Sequence, residues 1–431
     1  MKIQMPATSI HRYSTPSAAR ISLALMLAVL LVFPDGVALA QTACNTSNWE
    51  PTSVSLQNPI ETFAAAVATV NSTNYLYVIG GMDCNTSSGS YSCSSTPTVF
   101  QTQVGRAVLG SNGSVGSFTW QNLWNLPDGS TVGLGRDLCG VIYTSPTTGK
   151  NYIYTVGGLA YDSGAVPPST ALTNQVWYAQ LYPTTGQNNG ELLTWHQAYN
   201  LPTNLDLEGV AILNGYLYVI GGSTNVDPTV AAGITDEVWS AELNPSSGNL
   251  MGTAFTSQPA ILPPPTGATY TGGIYKTCPV VDTATNTIYV AGGETNNGTS
   301  DHLTGTVEYA VQGSGGSLTN GMGNAQWGTA TSLPNGLTLA SQAVVYNTGI
   351  ILMGGQDAVS GTQDTDNVYL GTIDSDTVIG WGSLSSLDTV ITGNIERNAG
   401  ATNGTFIYSL GGEVSHNGNS SDSTAIYCLK L

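Results

Sequence analysis

Six times along this chain a run of five largely apolar residues ends on a pair of glycines. The runs are "YLYVIGG" at 75–81, "YIYTVGG" at 152–158, "YLYVIGG" again at 216–222, "TIYVAGG" at 287–293, "GIILMGG" at 349–355 and "FIYSLGG" at 406–412. An unbroken run of β-branched and aromatic residues, too short for a helix and closed by glycine, predicts a strand buried on both faces. The glycines predict backbone that other residues adopt poorly.

Each run keeps the same company. Before it comes a strand of small residues: "AAAVATV", "CGVIYT", "EGVAIL", "CPVVD", "QAVVYN" or "NAGATN". After a polar loop comes a third strand: "TVFQTQV", "QVWYAQL", "EVWSAEL", "TVEYAV", "NVYLGTI" or "AIYCLKL". A fourth carries an aromatic residue at Trp120, Trp195, Phe255, Trp327 or Trp381. Four strands in each of six repeats, with almost no helical periodicity, predict an all-β, six-bladed β-propeller.

The aromatic landmarks also show how the ring closes. The sixth repeat ends at Leu431 without its Trp strand, whereas Trp49, in "SNWEPTSVSL", precedes the first repeat and is left over. Residues 47–57 are therefore expected to complete the last blade as its outer strand. Cys44 would then lie beside the strand that carries Cys428, and a disulfide between them would staple the ring. Cys84 and Cys93, nine apart in "CNTSSGSYSC", are expected to close one loop. Cys139 and Cys278 occupy matching positions in separate blades and are expected to be core thiols.

The hydrophobic run ending in Gly-Gly, the loop, the "V-W/Y" strand and the later Trp together resemble the kelch repeat, over nearly all of the chain beyond residue 40. The resemblance implies a kelch-type propeller closed by an N-terminal strand. Two kelch enzymes bear on chemistry. Galactose oxidase uses copper held by Tyr and His, with a Tyr cross-linked to Cys, and no matching set is present here, so that activity is not carried over. Sialic acid mutarotase resembles this chain in its "GGE" loop openings, here Gly292-Gly293-Glu294 and Gly411-Gly412-Glu413. That likeness implies Glu294 and Glu413 as general acid or base. The Arg that follows the acid in that enzyme's loop has no counterpart in "GGETNNGTSDHLTGTVEY", so a partner would have to come from the channel strands.

Composition adds a compartment and removes some partners. Residues 1–40 read as a secretory leader: basic Lys2, Arg12 and Arg20, an apolar run Ile21–Phe33 and the small-residue site Ala38-Leu39-Ala40. Residues 41–431 form the single propeller, expected outside the cytoplasm, secreted or periplasmic, and without a membrane span. Beyond residue 40 the chain holds 26 acidic and six basic residues, which excludes nucleic acid as a partner. Carbohydrate or an extracellular protein is expected instead. His196, His302 and His416 show no metal-ligand spacing, and no metal or cofactor is expected.

Three of the six bases, Arg136, Lys276 and Arg397, fall just before or within an innermost strand, as do the acids Glu61, Asp137, Glu208 and Glu396. One reading is a ligand site of Arg136, Lys276, Arg397 and Glu208 that holds an anion such as an acidic sugar. The other is a set of ion pairs that plugs the channel. Three functions stay open: a binding module for carbohydrate or protein, a sugar mutarotase or epimerase, and a structural surface protein.

Overall fold

The computed structural model describes residues 43–83, 99–123, 132–135, 141–162, 169–183, 186, 188–225, 233–261, 273–277, 279–296, 301–334, 337–338, 344–346, 349–357, 363–374, 377–387, 391, 393–416 and 419–431. The leader, Arg136, Asp137, Cys84, Cys93, Cys139 and Cys278 lie outside them. No helix among the described residues is long and apolar enough to cross a membrane.

Six antiparallel sheets follow one another along the chain. Blade 1 is Ala64–Val70, Thr73–Ile79, Gln103–Val108 and Thr119–Asn122, from inner to outer strand. Blade 2 is Val141–Thr144, Asn151–Val156, Val176–Leu181 and Leu192–Gln197. Blade 3 is Gly209–Leu213, Tyr216–Ile220, Val238–Glu242 and Thr256–Gln258. Blade 4 is Val280–Asp282, Thr287–Ala291 and Val307–Gln312, with an outer strand in two pieces, Leu318–Thr319 and Gly328–Thr329. Blade 5 is Val344–Tyr346, Gly349–Met353, Val368–Asp374 and Thr377–Ser383. Blade 6 takes Ala399–Thr402, Phe406–Leu410 and Ile426–Lys430 from the chain's end and Glu50–Pro51 from its beginning. Each inner strand touches that of the next blade, and the sixth touches the first. The protein is a six-bladed β-propeller closed by its N-terminal strand.

The repeated heptad is the seam between blades. In blade 1, Leu76 and Val78 enter the apolar cluster shared with blade 6, whereas Tyr75, Tyr77 and Ile79 enter the one shared with blade 2. Strand alternation sends successive side chains to opposite faces, so a strand between two neighbours must be apolar at every position. The same division recurs in blade 3, where Leu217 and Val219 face back and Tyr218 and Ile220 face forward.

The tyrosine third in the heptad adds a polar tie. Tyr77 Oη donates to the carbonyl of Gly190 (2.7 Å), Tyr154 to Gly248 (2.5 Å), Tyr218 to Gly316 (2.8 Å) and Tyr408 to Gly113 (3.0 Å). Each acceptor lies in the outer hairpin of the following blade. Burial raises the pKa of these phenols above the ordinary tyrosine value, so they stay protonated as donors. The glycine pair completes the seam. Gly158, Gly222, Gly355 and Gly412 donate their N–H to the carbonyls of Leu205, Ile274, Ile395 and Ile60, just ahead of the next inner strand or, for blade 5, of blade 6. Gly412 has φ 89°, and a Cβ there would stand 2.6 Å from the carbonyl oxygen of Glu396. Only glycine fits so close an approach.

Blade 5 breaks the pattern, because Ile351 stands where the tyrosine would be. The next blade is the composite one, where the C-terminal strand and the N-terminal strand are not joined by a hairpin. Trp49 fills the place: it is 1% exposed, packs in one cluster with Ile351 and donates Nε1–H to the Ser385 carbonyl at 2.9 Å. Glu50 pairs with Cys428 and Pro51 with Tyr427, and a disulfide joins Cys44 to Cys428 across a sequence separation of 384 residues.

Tyr154→Phe removes the hydroxyl that reaches Gly248 and is expected to cost about 1–2 kcal/mol, read by denaturant melting, whereas Tyr182→Phe at an exposed position changes stability by less than about 0.5 kcal/mol. Paired Cys44→Ser and Cys428→Ser substitution removes the staple and is expected to cost about 2–5 kcal/mol, with reductant lowering the wild-type melt towards that of the variant and leaving the variant unmoved.

Candidate functional site

The segment leading into each inner strand adopts one conformation in four described blades. Thr62, Leu207, Lys276 and Arg397 all have positive φ, between 50° and 61°. Each costs on the order of 1–2 kcal/mol in the left-handed region. Thr and Leu share the geometry with Lys and Arg, so the bend belongs to the fold and not to one site. The residue before the bend pairs across to the residue after the glycine pair: Glu61 with Met82, Asp206 with Ser223, Tyr275 with Glu294 and Glu396 with Glu413. Asp206, and not Glu208, is therefore the counterpart of Glu61 and Glu396. Glu208 is two residues further on, buried, with its carboxylate against Gly157 in the seam between blades 2 and 3.

The stretches after the glycine pairs, which read as polar loops in the sequence, form a second tier of short sheets. Val132–Gly135, Leu159–Asp162 and Ser169–Leu172 make one of these; Asn394–Glu396, Glu413–His416 and Asn419–Asp422 make another. In the latter, Glu396 opposes Glu413 and Glu413 opposes Asp422, so three carboxylates occupy one row on adjacent strands.

Arg397 makes this row tenable. Its Nη1 donates to Glu413 Oε2 (2.8 Å) and to Glu61 Oε2 (3.2 Å), and its Nη2 pairs with Glu396 Oε1 at 3.3 Å. The Arg397 side chain is 24% exposed while Glu61, Glu396 and Glu413 are buried. Glu61 comes from the start of blade 1 and the others from blade 6. Asp364 approaches from the hairpin of blade 5, and carboxylate oxygens of Asp364, Glu396 and Glu413 lie within 4.8 Å of one another. An all-oxygen set of this kind suits a hard cation, but Arg397 already brings positive charge to two of its members.

Several carboxylates around one guanidinium cannot all ionise freely. Burial is the main cause that holds the Glu396 carboxyl well above its ordinary value of 4.5; Arg397 works against it, and Asp364 and Glu413 add to it. Burial thus favours a proton on the Glu396 carboxyl, which faces Glu413 on the adjacent strand, and Arg397 reaches both.

Blade 4 repeats the plan with other residues. Lys276 Nζ pairs with Glu294 Oε2 at 2.6 Å and lies 5.1 Å from the centre of the Tyr275 ring. Tyr275 takes the place of Glu396, so the second carboxyl is missing. The structure therefore joins Lys276 to Glu294 and Arg397 to Glu413, and leaves Glu208 in a seam. Glu61 and Glu396, acids that the sequence places just before innermost strands, complete the Arg397 site.

The six successive antiparallel sheets define the class of this protein as a β-propeller. No family model matches the chain, and no curated protein sequence matches it. Among solved structures, the one titled "Structure of YjhT" is similar at a TM-score of 0.51 and 14% identity, covering 86% of this chain and 95% of that one. At that identity the likeness speaks for the fold.

The raised Glu396 group gives a signed prediction. Between the ordinary carboxylate range and its raised value the unfolded chain has lost the proton and the folded one keeps it, so stability falls as pH rises through that window. Glu396→Gln retains the neutral side chain and removes the titration. Melting temperatures from pH 4 upward are expected to show the variant gaining on wild type as pH rises; parallel curves would show that Glu396 ionises normally.

Proposed function

We propose that the protein is an exported kelch-type propeller that binds a carbohydrate at the axial end of blades 6 and 1. The observation that carries this reading is the Arg397 constellation, in which a partly exposed side chain has its guanidinium held among Glu61, Glu396 and Glu413. Fixed donors beside fixed carboxylate acceptors are what vicinal hydroxyls require, and a rigid site loses little entropy on binding. Residues 1–40, with their basic start, apolar run and Ala38-Leu39-Ala40, support export, and the Cys44–Cys428 disulfide suits an oxidising compartment.

The Glu396 and Glu413 pair favours a second reading, a sugar mutarotase or epimerase. Opening a cyclic hemiacetal needs a proton taken from the anomeric hydroxyl and another given to the ring oxygen. Glu413 would take the first, and Glu396, whose burial favours the protonated form, would supply the second. The "GGE" resemblance points to the same glutamate.

A thermal-shift screen of residues 41–431 against glucose, galactose, mannose and N-acetylglucosamine tests binding, with Arg397→Ala beside it. A sugar at a hundred times its dissociation constant is expected to stabilise by about 2.7 kcal/mol, and the variant to lose the shift. A shift that survives in the variant would move the site elsewhere. For catalysis, anomer exchange of the bound sugar followed by NMR is expected to fall at least a hundredfold in Glu413→Gln; an unchanged rate would leave binding alone.

A further inference from the structure

Both described cations of the axial lead-in segments are neutralised where they stand. Lys276 has Glu294 at 2.6 Å. Arg397 has Glu413 at 2.8 Å, Glu61 at 3.2 Å and Glu396 at 3.3 Å. Even with Glu396 neutral, two carboxylates share one guanidinium, and Asp364 stands among the same oxygens. The charge left over is negative. A ligand carboxylate approaching Arg397 would have to displace a buried glutamate and then sit beside it, which low-dielectric surroundings penalise. An uncharged sugar needs no such exchange, because its hydroxyls donate to the carboxylates and bring no charge to the site.

Glu61 is the decisive member of this set. It is fully buried, reaches Nη1 with both oxygens at 3.2 and 3.3 Å, and is delivered by blade 1 and not by the blade that carries Arg397. We infer that Glu61 is a specificity determinant: it withholds Arg397 from anionic ligands, so that the axial site accepts uncharged sugars and turns away sugar acids. This inference rests on the carbohydrate reading above for its ligand class, and it replaces the acidic sugar expected from the sequence.

The test measures the arginine directly as well as the ligand. Phenylglyoxal attacks guanidinium groups more slowly the more carboxylate partners hold them, and peptide mapping reports Arg397 separately from Arg106 and Arg136. Arg397 is expected to react at least about threefold faster in Glu61→Gln than in wild type, a ratio that corresponds to about 0.65 kcal/mol. In parallel, D-glucose and D-glucuronate are compared by thermal shift, and D-glucuronate is expected to stabilise Glu61→Gln but not wild type. Glu61→Asp, which keeps the charge and draws it back by one methylene, is expected to raise the reactivity too and serves if Glu61→Gln does not fold. Equal Arg397 reactivity in all three proteins, or stabilisation of wild type by D-glucuronate, overturns the inference. If neither sugar shifts any of the proteins, the carbohydrate reading fails together with the ligand class, while the reactivity ratio still decides whether Glu61 withholds the arginine.

Discussion

A strand that must bury both of its faces is the constraint on which this molecule depends. In each blade the second strand stands between two neighbours, and its side chains go alternately to one and the other. That requirement explains the unbroken apolar run, and it explains why the heptad at 75–81 could recur unchanged at 216–222. The run is also a joint: its third residue ties to a hairpin of the following blade in four described cases, and its terminal glycine to the lead-in of that blade in four. Stability is therefore spread over six similar seams, each needing its neighbours in place.

One blade has to be assembled from both ends of the chain, and there the repeated device fails. Without a hairpin to receive a tyrosine, an isoleucine takes the third position and Trp49 packs against it from the N-terminal side. Three further fastenings gather at the same closure. Cys44 and Cys428 are joined covalently, Tyr408 reaches Gly113, and Arg397 reaches Glu61 near the axis. Each ties a residue of the first blade or its preceding segment to the sixth. The closing strand pairs in register over two residues, Glu50 and Pro51, and backbone bonds from Thr52 to Ile426, from Lys430 to Asn45 and from Leu56 to Thr424 extend the contact. So short a ladder gives little by itself, and these backbone bonds and the side-chain ties add to it.

Much of this was legible in the residues. Gly-Gly is visible because a backbone approach as close as that of Gly412 to Glu396 admits no other side chain, and the unmatched Trp49 exposed the closing strand because aromatic positions recur once per blade. The site was legible only in part. Arg397 and Glu413 could be picked out by type and place, but their contact depends on the left-handed bend at 397, which apolar patterning does not encode. The same bend hid the register of the acids: Glu208 looked equivalent to Glu61, whereas the bend puts Asp206 in that position. A shift of two residues keeps strand parity yet moves a carboxylate from the row near the axis into a seam. The second tier of sheets was missed because its strands are short and polar, with no apolar face to give them away.

The placement of the charges follows from the same architecture. Tight seams leave few places for polar chemistry, and the lead-in bends, repeated around the axis, are the positions where side chains of different blades converge. Blades 4 and 6 use this position alike up to a point, with a cation at the bend and a glutamate after the glycines. They diverge one residue earlier, at Tyr275 and Glu396. A tyrosine leaves a simple ion pair under an aromatic ring; a glutamate creates a carboxyl pair, and burial pushes its Glu396 member towards the protonated form. The facing carboxyl pair makes blade 6 chemically distinct from blade 4, and it arises from one side chain set opposite another on a neighbouring strand. Because Glu61 arrives from blade 1, this distinct site exists only in the closed ring. Closure and site formation are thus one event, and a chain that failed to bring its N-terminal segment home would lose the site along with the sixth blade's outer strand.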